Sequence, residues 1–245
     1  MVINVHGGHN RIVPGASGYL DEVTEDRAVT AQVIAKLRAL GHTVYDCTDD
    51  SGRTQGQNLA NIVHACNAHA ADLDVSIHLN SGGGTGTEVL VYSDTGEAAG
   101  YAVKICAAIS ELGYRNRGVK ERKALYVLRR TTAPALLVEC CFVDSAADAQ
   151  RFDADKMAAA IVRGITGQTA AQTGAAPAQQ TGYHVRITAS VLNVRRDHSA
   201  SSAVATQVRR GEVYTIVAEY NNGGTMWGKL KSGAGWIALK YTQCV

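Results

Sequence analysis

The sequence predicts an α/β domain with a mostly parallel, twisted sheet and helices on both faces, followed by a small all-β domain. Through residues 1–167, short apolar runs alternate with segments that repeat apolar side chains every three or four residues, as in interleaved strands and helices. Residues 168–181 carry no charged side chain and little to bury, which is typical of a flexible linker. Residues 182–245 contain short β-rich runs between glycine turns, which favour a small β-barrel.

The first domain begins with an apolar strand at Val2–Val5. A helix is predicted over Glu22–Leu40, because apolar side chains recur there at helical spacing and Gly41 follows. The later predicted elements are an extended segment at His42–Cys47, a helix at Asn58–Ala70, strands at Leu73–Leu79 and Glu88–Tyr92, a helix at Ala98–Leu112, a strand at Ala135–Cys140 and a helix at Asp153–Ile165. Strands that alternate with helices indicate a mostly parallel sheet covered on both faces.

The second domain is predicted from its turns and the short runs between them. The turns fall at Asn221–Gly224 and Ser232–Gly235. The predicted strands are Val191–Val194, Val213–Val217, Trp227–Leu230 and Trp236–Leu239. Short strands separated by glycine turns predict a small β-barrel.

Composition excludes several classes of protein. The 24 Lys and Arg residues against 22 Asp and Glu give a net charge of +2, which argues against a nucleic-acid partner. No apolar run approaches the ~18 residues of a membrane span, so membrane insertion is not expected. The six cysteines form no CxxC pair, which argues against a thiolate zinc site.

Ionisable residues fall at the predicted carboxyl ends of strands, where open α/β sheets bind ligands. The first strand runs into His6 and His9, and a later strand ends near His78. Glu22 opens the first helix, and Glu139 lies at the end of the last strand of this domain. Two imidazoles and one carboxylate with an open fourth position make up a catalytic zinc site, and a spare glutamate beside it is suited to exchange protons with water.

Structural roles compete with this interpretation. A single histidine at a strand end is more often a hydrogen-bonded polar residue than a metal ligand. Glu139 interrupts an apolar run, where an unpaired carboxylate is costly to bury, and an ion pair with Arg129 or Arg130 is the main alternative. The sequence has no HExxH or other compact ligand motif, so the metal interpretation rests on the whole set of residues.

Further motifs surround these residues. They are His9 with Gly15-Ala16, Glu22 opening a helix that ends at Gly41, Ser76-Ile77-His78-Leu79-Asn80, the run from Pro134 to Glu139 with Phe142, Asn116-Arg117-Gly118 and Leu125-Tyr126-Val127-Leu128. Together and in this order they resemble the zinc-dependent N-acetylmuramoyl-L-alanine amidases of type 3, in the phage endolysin branch, over residues 1–167. The resemblance implies the type 3 amidase fold, one Zn²⁺ per chain bound by His9, Glu22 and His78, and Glu139 as the catalytic residue.

The family's spacing decides between two pairs of competing residues. Its first ligand lies six residues before the Gly-Ala pair, which selects His9 and leaves His6 as a neighbour of the ligands. The distance to the glycine after the first helix favours Glu22, and Glu25 stays as the alternative one turn later.

The resemblance also implies a reaction, the hydrolysis by zinc-activated water of the amide bond between N-acetylmuramic acid and L-alanine in bacterial peptidoglycan. Glu139 takes the water proton and returns it to the leaving amine. Asn80 is expected either to bind substrate or to stabilise the turn before Gly82. A zinc peptidase that cuts within the stem peptide and a non-catalytic wall-binding protein are the alternative functions. The first strand follows Met1 directly, which predicts synthesis in the host cytoplasm without a signal peptide and action on the wall after release.

The second domain carries motifs of its own. They are the run ASVLNVR at 189–195, then Gly211-Glu212-Val213 and Gly235-Trp236-Ile237. These motifs resemble bacterial SH3-type domains, which implies an SH3-like barrel that binds the cell wall. Residues 181–245 carry 8 Lys and Arg against 3 Asp and Glu, and this positive charge suits an anionic wall.

Overall fold

A computed structural model describes residues 1–168, 183–200, 202–222 and 225–245 of the chain. The chain divides into two compact units, within residues 1–174 and 175–245. Apart from Gln168, the predicted linker at 168–181 lies outside the described residues, and so does the end of the predicted turn at Asn221–Gly224. The exact limits of the predicted domains therefore stay a prediction. Among the helices of the described residues, none has the length and apolar character that crossing a bilayer requires.

A six-stranded sheet forms the centre of the first unit. Its strands are β1 (Val2–Gly7), β2 (Thr43–Asp46), β3 (Leu73–Asn80), β4 (Thr87–Val91), β5 (Asn116–Glu121) and β6 (Ala135–Phe142). Their order across the sheet is β2-β1-β3-β6-β4-β5. Every neighbouring pair is parallel except β4 and β6, which are antiparallel. The predicted α/β sheet is confirmed, and β4 makes it a mixed sheet.

Helices cover both faces of this sheet, as predicted. They are α1 (Glu22–Ala39), α2 (Gln55–Asn67), α3 (Glu97–Ser110), α4 (Tyr126–Arg130), α5 (Ala146–Arg151) and α6 (Ala154–Thr166). Helices α1, α3 and α6 share one core, which includes Val33, Ile105 and Ile161. Helices α2 and α4 pack on a second core, which includes Ile62 and Leu137. Burial of apolar side chains on each face holds the helices to the sheet.

The first helix begins and ends as its sequence predicts. The side chain of Asp21 caps α1 by accepting a hydrogen bond from the Thr24 amide at 2.9 Å. Gly41 follows the helix with a φ of +82°, a left-handed conformation that glycine adopts without strain. The start of α1 is therefore fixed in position, and this start carries Glu22.

Three elements of the first unit are absent from the sequence prediction. Strand β5 lies at the sheet edge, and Val119 is the only apolar side chain in its sequence NRGVKE, so it shows no apolar run. Helices α4 and α5 contain five and six residues, which is too short for a helical period to be recognised.

The described part of the second unit is all-β. Its strands are β7 (Tyr183–Ile187), β8 (Val191–Arg195), β9 (Val204–Arg209), β10 (Val213–Asn222), β11 (Thr225–Leu230), β12 (Trp236–Ala238) and β13 (Thr242–Cys244). They pair antiparallel in the order β13-β7-β10-β11-β12-β8-β9. Val185, Val194, Ile216 and Ile237 are central to its core. The all-β character is confirmed, and the SH3-like barrel stays a prediction.

Candidate active site

The loop after β1 carries the first predicted ligand. Its start is held beside β3, because the Gly8 amide donates a hydrogen bond to the Ile77 carbonyl at 2.9 Å. His9 follows with a φ of +48°, a left-handed conformation that few residues other than glycine adopt. The imidazole Nε2 of His9 lies 3.8 Å from Oε1 of Glu22.

Glu22 is the buried acid of the site. Its Oε2 accepts a hydrogen bond from the Ala16 amide at 2.8 Å. Its Oε1 accepts from the Leu79 amide at 3.2 Å and from Nδ1 of His78 at 3.1 Å. Burial by itself raises the pKa of Glu22, but the hydrogen bonds and nearby imidazoles outweigh it and hold the pKa below its ordinary value. Glu22 therefore presents a fixed negative charge.

His78 completes a compact group of donors. It lies near the end of β3, and its ring meets the His9 ring edge-on with centroids 5.3 Å apart. One ligand atom from each of His9, Glu22 and His78 lies within 4.8 Å of the others. Two imidazole nitrogens and a carboxylate oxygen within reach of one ion fit a zinc ion. The structure thus brings together the three residues that the sequence proposed as ligands.

Two glycines give these side chains their space. A Cβ atom on Gly15 would lie 2.2 Å from Oε2 of Glu22 and 2.9 Å from Cδ2 of His9. A Cβ atom on Gly8 would lie 2.0 Å from Cε1 of His78. Real Cβ atoms do not approach so closely, so the backbone wraps around the three donors more tightly than any other residue type permits.

Glu139 lies directly beside this group. In the parallel pairing of β3 and β6, Glu139 is the register partner of His78. Its Oε2 atom is buried and has no hydrogen-bond partner among the described residues. The alternative that the sequence left open was an ion pair of Glu139 with Arg129 or Arg130. Neither arginine bonds to this oxygen in the described structure. The pairing of β3 with β6 therefore keeps the carboxyl group close to the proposed ligands.

The environment of Glu139 shifts its proton affinity upwards. Burial raises the pKa of its carboxyl group to about 7. The nearby charges of Glu22 and Glu88 also raise this pKa, whereas His78 lowers it. A carboxyl group with this pKa exchanges protons near neutral pH, as a general base and acid must. The two glutamates thus differ in character, since one keeps its charge and the other titrates.

These groups face a cleft of about 250 Å³. The lining residues that sequence reasoning did not assign to the site come from α2, from the sheet and from the segment that leads into α4. They are Gln55, Asn58, Leu59, Ile62, Leu90, Leu125, Tyr126, Val127 and Leu137. The run Leu125-Tyr126-Val127 belongs to the motifs of the family resemblance, without an assigned role in the site. The other apolar residues offered only their spacing, which is equally typical of a core. No Lys or Arg is among the described residues that line the cleft.

His6 and Glu25, the alternatives to His9 and Glu22, do not belong to the group of ligand atoms. His6 is buried and lines the cleft, and its Nδ1 hydrogen-bonds to the Gly7 carbonyl at 3.2 Å. Burial lowers the pKa of His6 to about 3, so the ring is neutral. Glu25 is half-buried and does not belong to the group of ligand atoms, where Glu22 takes that place.

The side chain of Asn80 forms hydrogen bonds with other residues of the protein. Its Nδ2 donates to Oε1 of Glu88 at 3.1 Å, and its Oδ1 accepts from the Ser81 amide at 2.8 Å. Glu88 in turn accepts a hydrogen bond from Nε of Arg117 at 2.8 Å. These contacts match the turn-stabilising role, and the substrate-binding role of Asn80 stays a prediction.

The comparisons with known proteins identify the family of the chain. A family model described as N-acetylmuramoyl-L-alanine amidase matches residues 1–167. The chain belongs to this amidase family. A structure of the catalytic domain of the CD27L endolysin targeting Clostridia Difficile is 26% identical to this amidase-family chain, with a TM-score of 0.65, and covers 69% of this chain and 98% of its own.

Curated relatives match over different lengths. The sporulation-specific N-acetylmuramoyl-L-alanine amidase of Bacillus subtilis is 31% identical over 209 residues, 83% of this chain and 80% of that protein. An uncharacterized protein of Clostridium perfringens is 38% identical over 154 residues, 60% of this chain. The match spans 45% of that clostridial protein, which is less than half of its length.

Proposed function

We propose that the protein is a zinc-dependent N-acetylmuramoyl-L-alanine amidase, which hydrolyses the amide bond between N-acetylmuramic acid and L-alanine in bacterial peptidoglycan. The observation that carries the proposal is the convergence of His9, Glu22 and His78 within 4.8 Å, beside the unpartnered Oε2 of Glu139. Membership of the amidase family supports the choice of bond and substrate.

The site residues have two roles in this proposal, metal binding and proton transfer. His9, Glu22 and His78 hold one zinc ion, which when bound supplies Lewis acidity to the amide carbonyl and the attacking water. The hydrogen bonds to Glu22 keep its carboxylate ionised and oriented. The Glu139 carboxylate accepts the water proton and then donates it to the leaving amine of L-alanine.

The cleft walls contribute the surroundings for this proton transfer. Ile62, Leu90 and Leu137 are buried apolar side chains of the lining. An apolar wall limits the access of bulk water, so Glu139 exchanges its proton with the reacting groups instead of with solvent. The same wall suits the methyl groups of the lactyl ether and of L-alanine.

The second unit has the role of binding the cell wall in this proposal. It contains a cleft of about 530 Å³ whose lining includes Arg195, Lys240 and Trp227. No carboxylate is among the described residues that line it, so the cleft favours an anionic ligand. Together with similarity to an endolysin catalytic domain, this supports a phage endolysin, made in the host cytoplasm, that acts on the wall after release.

Mass spectrometry of digested peptidoglycan tests the reaction. The expected products are glycan with free N-acetylmuramic acid and stem peptides that begin with a free L-alanine amine, and a chelator should abolish their release. Stem peptides cut at an internal bond would instead identify a peptidase. Full digestion after the zinc has been removed would contradict the metal-dependent mechanism.

A further inference from the structure

Arg27 makes a dense set of contacts behind the metal-binding group. It lies on α1, and its side chain is 22% exposed. Its Nη1 donates to the Gly8 carbonyl at 2.8 Å, and its Nη2 donates to the His9 carbonyl at 2.8 Å. The guanidinium therefore grips two successive carbonyl oxygens of the loop that carries the first proposed ligand.

Two carboxylates hold the guanidinium in this position. Nη1 of Arg27 also donates to Oδ1 of Asp26 at 2.7 Å, and Nη2 donates to Oδ1 of Asp50 at 2.7 Å. Nε adds a longer bond to the same Asp50 oxygen at 3.3 Å. All five N–H groups of the side chain are engaged, which fixes the plane of the guanidinium.

The backbone around Arg27 is adapted to it. A Cβ atom on Gly7 would lie 2.1 Å from Nη1 of Arg27, so the strand end leaves space for the guanidinium only because this residue is glycine. His9, whose carbonyl Arg27 holds, has the left-handed φ of +48°. A residue with a side chain keeps that conformation only where its surroundings impose it.

We propose that Arg27 is a positioning residue for the metal centre, which holds the backbone of Gly8 and His9 so that the His9 imidazole faces Glu22. The inference rests on the proposed function, because it assumes that His9 binds the metal. Since α1 carries both Glu22 and Arg27, one helix sets the separation between the carboxylate ligand and the first histidine. Lysine cannot reproduce this grip, because a single ammonium group does not present a planar pair of donors.

The test measures zinc affinity of the metal-free protein by competition with a chromophoric chelator. Arg27→Lys should weaken zinc binding by about 10- to 100-fold, the usual effect of losing a partner that orients a ligand. Arg38→Lys is the matched control, because Arg38 lies on the same helix and donates to the Val44 carbonyl at 2.7 Å, away from the ligands. Its zinc affinity should equal that of the unmodified protein, and thermal unfolding of both metal-free variants reports any general loss of stability.

Gly7→Ala provides a second route if Arg27→Lys does not fold. The added methyl group displaces the guanidinium without removing its charge, so zinc binding should weaken to a similar extent. Unchanged zinc affinity in a folded Arg27→Lys or Gly7→Ala protein, or an equal loss in Arg38→Lys, would overturn the inference.

A double variant shows whether Arg27 acts through His9. In a His9→Ala background, Arg27→Lys should weaken zinc binding no further, because the residue that it positions is gone. A second loss of the same size would mean that Arg27 acts elsewhere. If His9→Ala alone binds zinc normally, the proposed metal site fails; if it weakens binding while Arg27→Lys does not, only the inference on Arg27 fails.

Discussion

The two clefts of the molecule contain opposite kinds of ionisable side chain. The cleft of the first unit gathers imidazoles and the Glu139 carboxyl group, whereas Arg195 and Lys240 are the charged lining of the second among the described residues. Oε2 of Glu139 is buried and has no hydrogen-bond partner in the described part of the chain, and Lys240 is exposed. Burial of an unpaired carboxyl group lowers stability, and an exposed lysine does not. This difference matches the proposed roles of the two clefts, which are proton transfer in the first and attraction of an anion in the second.

The largest effect is expected where the first cleft loses a metal ligand. His78→Ala removes one imidazole from the group of three and leaves Glu22 without its Nδ1 donor. The zinc content of the purified protein and amide hydrolysis should both fall to background, because the two remaining ligands bind the ion too weakly to retain it through purification. Metal analysis and muropeptide release measure the two effects. Full zinc occupancy in this variant would show that His78 is not a ligand.

Glu139→Gln tests proton transfer separately from zinc binding. Hydrolysis should fall by roughly 10²- to 10⁴-fold, the usual contribution of a general base and acid, while zinc content stays normal. Substrate turnover and metal analysis of the same preparation test this. Near-native turnover would remove Glu139 from the mechanism, and loss of zinc would place it among the ligands.

The pH dependence of stability sharpens the contrast between the two glutamates in the metal-free protein. The pKa of Glu139 is raised from 4.5 to about 7, so its contribution to the free energy of unfolding is present below pH 4.5 and lost as the pH rises through 7. The pKa of Glu22 is lowered, so its contribution is present above its ordinary pKa and lost as the pH falls.

Denaturant unfolding at several pH values measures this difference. Between pH 4.5 and 8, the metal-free wild-type protein should lose stability relative to metal-free Glu139→Gln, whose amide does not ionise. A difference between the two proteins that stays constant over this range would show that Glu139 has an ordinary pKa.

The smallest effect is expected in the second cleft. Lys240→Gln removes an exposed charge from its lining and should weaken sedimentation with insoluble walls by about two- to fivefold, the range of a single surface charge interaction. Lys231→Gln removes the same charge outside that lining and should leave wall binding unchanged. Hydrolysis of soluble muropeptides should be normal in both. An equal loss of wall binding would assign the effect to overall positive charge.

The residues that converge at the first cleft could be predicted from the sequence, because the topology of the sheet brings them together. Parallel strands end at one edge of a sheet, so His78 and Glu139 are expected together once their strands are recognised. The choice of His9 over His6 needed the spacing of a known family. The edge strand at Asn116–Glu121 was missed, because it has a single apolar side chain.

Other features depend on contacts between side chains and distant backbone, which sequence periodicity does not encode. The grip of Arg27 on the Gly8 and His9 carbonyls is of this kind. Another is that Oε2 of Glu139 has no hydrogen-bond partner among the residues that the structure describes, since Arg129 and Arg130 lie in α4 and do not bond to it. Sequence shows which groups are present, and only packing shows which of them are paired.

The placement of β6 has a consequence for folding of the chain during its synthesis. This strand is the last of its sheet to leave the ribosome, yet it inserts between β3 and β4, near the middle. A nascent chain that stops before Ala135 contains the three proposed ligands but neither the central pairing nor Glu139. Long-range strand pairing of this kind forms late, so we expect the candidate site to be complete only after β6 has inserted into the sheet.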